Sequence, residues 1–240
     1  ARLFGPERNA SDHAGAIAFT DAALVAFPVR SLKNTFVYAT CPTALARLKR
    51  LAGEAANWGV PGVAEGSAKA AGGTALTNGR IVLEAFDFAA TTDDGVKAIA
   101  DWLAVNALPQ STEHEFFRNK IKTDLVVLSD TEFGHFVRHA TVVEPHVKID
   151  NETGTAAGEM LYYTETLPPE SLLVGLVLAS VERQKKGDKR DDLKSAEEVL
   201  RAVLHDEGER KGLADRLLQV GGDATTGRGL IVVHPSGEGA

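Results

Sequence analysis

The stretch LLQVGGDATTGRGLIVV, Leu217–Val233, sets four glycines, two threonines, an aspartate and an arginine between two apolar runs. Glycine costs backbone entropy on folding, so such a concentration answers a geometric need. One need is a ligand that approaches the backbone. Unshielded N–H groups, the Thr225 and Thr226 hydroxyls and the Arg228 guanidinium together make a phosphate cradle. The other need is a turn: Gly221 caps a helix ending near Val220, and Gly227 and Gly229 let the chain enter a final strand. The loop lacks the Gly-Lys-Ser/Thr ending of a P-loop. Read as helix, glycines, strand, it also reverses the order of a dinucleotide fingerprint. On composition alone the cradle and the turn both stand.

Other reactive side chains are sparse. The single cysteine, Cys41, forms no internal disulfide and fits a reducing cytoplasm. His135, His139 and His146 lack the spacing of a zinc site such as H-E-x-x-H, so no metal site is expected from them. The chain of 240 residues is 44% hydrophobic and 25% charged, within the range of ordinary soluble globular proteins. No apolar run reaches the roughly 20 residues of a membrane helix, and no secretory signal opens the sequence. The opening ARLFGPERN reads like the continuation of a longer segment. A net charge of -7 and a pI near 5.5 count against a basic nucleic-acid binder but leave room for a local basic groove.

Local patterns predict the elements that hold these groups. Ile17–Asp21, Ala23–Phe27 and Thr35–Cys41 read as strands, and Pro42 opens a helix with Leu45, Leu48 and Leu51 on one face. Residues 54–79 are rich in Gly and Ala without a period and predict a flexible insertion. Arg80–Ala90 reads as a strand. Val96, Ile99, Trp102 and Leu103 mark a helix, and a short helix from Glu115 leads into the strand Asp124–Leu128. Residues 135–164 predict an extended ribbon in which Val142–Ile149 pairs with Glu159–Thr164. Ser171–Val181 reads as one buried strand, and the charge run Glu182–Asp192 as a solvated loop. Two amphipathic helical stretches follow, the first capped by Ser195 and Glu198, the second spanning Glu209–Val220. This irregular interleaving argues for an α+β fold rather than a doubly wound sheet.

In that context GGDATTGRGL resembles the glycine-rich motif of the RAMP superfamily of CRISPR proteins. Three further segments, Gly15–Leu48, Leu125–Val137 and Gly158–Leu178, resemble the repeated backbone subunit of the type III-B CRISPR effector complex. The FPVRSLK-to-CP run and the YYTE-LPPES run are the more specific parts. The resemblance spans Gly15–Val233. It implies a single domain over 1–240 with a modified ferredoxin-like or RRM-like core, helical and loop insertions, and a β-hairpin thumb. It further implies a cytoplasmic ribonucleoprotein of antiviral defence. Copies of the subunit line a guide RNA together with other subunits. Target RNA is cut at regular intervals by attack of a 2'-hydroxyl, with a divalent metal, magnesium, assisting.

Carried onto this sequence, the resemblance assigns the guide backbone to Arg30, Ser31, Lys33, Gly222, Thr225, Thr226, Gly227 and Arg228. Contacts of this type ignore base identity, as a subunit that accepts any guide requires. The thumb is expected at Phe136, Val137, Arg138 and His139, the first two wedging a base step and the last two meeting phosphates. The family's catalytic aspartate belongs to a loop that would precede Ala1, so no residue here takes that role. Asp12, Asp21 and Asp223 are poor substitutes. Tyr163 and Glu165, on one side of a strand, are weaker candidates for support at the cut site. Two other readings compete: a stand-alone RAMP endoribonuclease that processes repeat RNA, and a ferredoxin-like enzyme that binds a nucleotide at the glycine loop.

Overall fold

The computed structural model describes residues 3–6, 13–183 and 195–237. β1 (Ile17–Phe19), β2 (Ala23–Arg30) and β3 (Phe36–Thr40) lead to α1 (Pro42–Ala52), which Cys41 caps and Gly53 ends. Then come β4 (Ser67–Ala70), β5 (Arg80–Leu83), β6 (Phe86–Thr92), α2 (Asp94–Asn106), α3 (Glu115–Asp124), β7 (Leu125–Val127) and α4 (Asp130–His139). The second half holds β8 (Val142–Ile149), β9 (Ala156–Thr166), β10 (Leu172–Val174), β11 (Val177–Ala179), α5 (Ala196–Leu204), β12 (Arg216–Gln219) and β13 (Leu230–Val233).

A seven-stranded mixed sheet in the order β10-β2-β3-β7-β4-β6-β5 forms the centre, with β3–β7 and β4–β6 parallel. Both faces are covered. Tyr38, Leu125 and Val127 pack with Leu45, Ile99, Leu103 and Ile121 from α1, α2 and α3. Val37, Ala39 and Val126 point the other way, onto Phe133 and Phe136 of α4. Burial on both faces explains why β3 and β7 read as continuous apolar runs. This is the α+β organisation expected. β1–β11, β8–β9 and β12–β13 are separate antiparallel pairs.

Several expectations are corrected. Residues 54–79 are not a loose insertion: β4 lies between β7 and β6, and Ala68 and Ala70 are buried. The small residues serve close packing there. A Cβ on Gly72 would stand 2.8 Å from the Thr123 carbonyl oxygen. Trp58 is buried edge-on to Trp102, whose indole N–H donates to the Ala55 carbonyl at 2.8 Å.

The segment expected as one buried strand over 171–181 changes partner at Gly175–Leu176. β10 joins the central sheet and β11 pairs with β1, and their side chains are only partly covered. The helix expected over 209–220 is also absent. Asp215 takes a left-handed φ of 54°, which breaks a helix, and Arg216–Gln219 pairs with Leu230–Val233 instead. Most of the predicted solvated charge run, residues 184–192 of 182–192, lies outside the described residues.

Candidate nucleic-acid interface

The glycine stretch is the tip of the β12–β13 hairpin, so strand follows strand. Gly221 therefore caps no helix, and the helix-glycines-strand order is corrected. Ala224–Thr226 makes a single 3-10 turn between Asp223 and Gly227, both left-handed. The Asp223 backbone carbonyl gathers the tip. It accepts from the Thr226 amide (3.0 Å), the Thr226 hydroxyl (2.8 Å) and the Arg228 amide (3.2 Å). Gly229 is required by the fold, because a Cβ there would lie 1.9 Å from the Val220 carbonyl oxygen. Gly222 is not. It has no left-handed φ, and nothing stands within 4 Å of its would-be Cβ. Gly222, Thr225, Thr226 and Gly227 are all exposed.

The tip lies against the β8–β9 ribbon. Arg228 pairs with Glu144, and Asp223, Thr226 and Arg228 form one small depression with His146, Tyr162 and Thr164. His146 stacks on Tyr162 with ring centroids 5.0 Å apart, and its Nε2 is 2.8 Å from the Thr164 hydroxyl. Register and alternation put Val143, Val147, Leu161 and Tyr163 on the opposite, open face of the ribbon, all exposed. Tyr163 and Glu165 do share a side, opposite Pro145 and Val143. The Glu165 carboxylate accepts from the Thr141 hydroxyl at 2.6 Å.

The expected thumb residues are elsewhere. Phe136, Val137, Arg138 and His139 belong to α4, not to an extended ribbon. Phe136 is 2% exposed and packs edge-on to Phe86 and Phe88, so it cannot wedge a base step. Arg138 donates back to the Gly134 carbonyl. The missed helix was announced by Ser129 and Glu132, which form a capping box ahead of the aromatic run. Only Val142 onward is ribbon.

α4 also corrects the reading of the histidines. His135 and His139 are exposed one turn apart, with ring centroids 4.6 Å apart. They line an open groove of about 620 Å³ together with Arg30, Phe36, Phe86, Glu84 and Glu170. Arg30, at the end of β2, is 84% exposed with its Nε 3.9 Å from Glu84. Ser31 and Lys33 sit on the β2–β3 turn beside it but are less available. The Ser31 hydroxyl is buried without a hydrogen-bond partner, and the Lys33 ammonium donates to the Leu76 carbonyl at 2.9 Å. The groove carries both charge signs, and burial raises the Glu170 carboxyl above its ordinary range. The ribbon links the two places: Val142 lines the groove and His146 the depression, roughly 13 Å apart along one strand.

Among the described residues Cys41 offers no reactive nucleophile and no metal cage converges. Burial pushes the Cys41 thiol up to about 12, too high for a reactive thiolate. Among the described residues no group of three or more His, Cys, Asp and Glu side chains converges to hold a metal ion. The described residues thus supply no dedicated all-protein cage for a divalent cation. Asp21 is exposed just before β2, Asp223 uses its backbone in the hairpin tip, and Asp12 lies outside the described residues. No helix among the described residues is long and apolar enough to cross a membrane.

A mixed sheet covered on both faces by helices, a glycine hairpin and a separate two-stranded ribbon define an α+β protein. The chain belongs to the RAMP superfamily, whose family model matches residues 1–232. It is 32% identical over 237 residues to the CRISPR system Cmr endoribonuclease Cmr4 of Pyrococcus furiosus, covering 97% of this chain and 73% of that one. The crystal structure of oligomeric Cmr4 from Pyrococcus furiosus matches with a TM-score of 0.62 at 26% identity, over 92% of this chain and 73% of the other. A chain of the type III-B Cmr-beta complex bound to cognate target RNA, seen by cryo-electron microscopy, matches with a TM-score of 0.62 at 14% identity. That match covers 95% of this chain and 73% of the other, and it speaks to the fold alone.

Proposed function

We propose that this chain is the repeated backbone subunit of a type III-B RNA-guided complex in antiviral defence. It holds guide RNA along the glycine hairpin and the β2–β3 turn. It sets the β8–β9 ribbon as a thumb against the guide–target duplex. The observation that carries this reading is the seating of the glycine tip against the ribbon through Arg228 and Glu144. One corner then offers the exposed Gly222 backbone and Thr225 side chain for phosphates on one side and an apolar ribbon face on the other. Neither surface selects a base, which suits a subunit that accepts any guide.

In this reading the ribbon's open face, with Val147, Leu161 and Tyr163, takes the wedging role expected of Phe136 and Val137. Glycine-tip amides, Arg30 and Lys33 contact the guide backbone. Further copies of the chain, the other subunits of the complex and target RNA are its partners, in the cytoplasm. The relative's name, an endoribonuclease, supports cleavage of the target. A kink that brings a 2'-hydroxyl in line with the adjacent phosphodiester supplies much of the acceleration by positioning. Tyr163 and Glu165 border that kink. No described residue takes the role of the catalytic aspartate, and the described residues leave the place of a magnesium ion unassigned.

The test is to sequence RNA that co-purifies with the protein and its complex. Short RNAs with a uniform 5' end and varied interior are expected. Random fragments or no RNA would overturn the reading. One observation favours the stand-alone endoribonuclease: the exposed His135–His139 pair offers an imidazole base in an open groove beside Arg30. A monomeric complex with repeat RNA, cleaved in a His139-dependent manner, would select it.

A further inference from the structure

The β2–β3 turn holds two successive residues in the left-handed region, Asn34 at φ 62° and Thr35 at φ 68°. Asparagine tolerates that conformation. A β-branched threonine does not adopt it without being held, and hairpins usually place glycine there. The holding group is a buried ion pair from α3. Asp124, 4% exposed, accepts from the Asn34 side-chain amide at 3.1 Å and from the Thr74 hydroxyl at 2.9 Å. Its other oxygen accepts from the Lys120 ammonium at 2.8 Å. That ammonium also donates to the Asn34 backbone carbonyl at 2.9 Å and lies over the Phe36 ring. Asn34 is thus gripped at its side chain and at its carbonyl from one helix.

A buried ion pair is weak evidence for stability as such. Strained backbone persists where the surroundings over-determine it and clusters at functional positions. This pair acts on the turn that carries Arg30, Ser31 and Lys33. We propose that Asp124 and Lys120 are positioning residues for RNA: they hold Asn34 and Thr35 left-handed and so set where the cationic turn meets the guide backbone. The RNA part of this proposal rests on the function proposed above; the conformational part does not.

The test compares wild type, Asp124→Asn and the double variant Asp124→Asn/Thr35→Gly in the assembled complex, with a guide RNA as probe. Asp124→Asn is expected to weaken guide affinity about tenfold and to speed amide hydrogen exchange over residues 32–36. Glycine enters the left-handed region freely. The double variant is therefore expected to recover affinity to within about threefold and to restore exchange protection, while its Tm stays at the level of Asp124→Asn. A merely structural role predicts the opposite, affinity that follows Tm with no rescue, and that result overturns the proposal. So does unchanged exchange in Asp124→Asn. If Asp124→Asn does not fold, Asn34→Ala breaks the same grip at an exposed position and is read the same way. If the wild-type complex binds no guide RNA, the function proposed above and the RNA part fail together. Exchange over 32–36 then still decides whether the pair holds the turn.

Discussion

Arg228 in the glycine hairpin is ion-paired with Glu144 on the first strand of the ribbon, so the residue best suited to meet a phosphate already faces a carboxylate. Both side chains remain more than a third exposed, which leaves the guanidinium free to exchange partners. Glu144→Gln is expected to tighten RNA binding about two- to threefold and to steepen its salt dependence by about 1. Arg228→Ala is expected to weaken binding to the same degree for unrelated sequences and to lower that slope by about 1. Binding curves between about 50 and 200 mM salt check both. A loss confined to one sequence would mean that Arg228 reads bases.

Gly222 and Gly229 separate a ligand's need for glycine from the fold's. Gly229→Ala drives a Cβ into the Val220 carbonyl and should disrupt the β12–β13 pairing, with a fall in Tm. Gly222→Ala meets nothing and should leave Tm within about 0.5 kcal/mol equivalent of wild type. If RNA lies against the tip, Gly222→Ala nonetheless weakens guide binding several-fold. Unchanged affinity would return the loop to a plain turn.

Phe136 and Leu161 test the relocated thumb. Phe136→Ala empties a core site and should cost about 3–5 kcal/mol in a denaturant titration. Leu161→Ser, on the exposed ribbon face, should leave stability within about 0.5 kcal/mol yet slow target cleavage. Equal stability losses for the two variants would remove the ribbon's claim to a free face.

Glu170 gives a pH signature. Burial raises its carboxyl in the folded state, and the charge of nearby His114 offsets this only in part. Folding is therefore favoured below the unfolded glutamate value, and that advantage is lost as pH rises through the raised folded value. Glu170→Gln should raise Tm at neutral pH by about 1–3 °C, and the difference should vanish near or below pH 4, about the ordinary glutamate value. A gap that persists in acid would mean that the carboxylate charge is not its cause.

Local grammar determined a good part of this protein. The β-branched run before Pro42 became β3 and α1, Ser195 and Glu198 capped α5, and the expected pairing of the ribbon from Val142 was found. Each rests on contacts between residues close in the chain, where propensity, capping and turn chemistry act directly.

Tertiary structure decided the rest. Ala68 and Ala70 carry little strand preference, and only backbone partners on β6 and β7 make them a central strand. Leu217 and Leu218 suit a helix as well as a strand until Val232 and Ile231 lie opposite. Phe136 looked like a wedge until the sheet beneath α4 buried it. The grip of Asp124 on Asn34 spans 90 residues and leaves no local trace, because burial, strain and ion pairing are properties of the folded neighbourhood rather than of any short stretch.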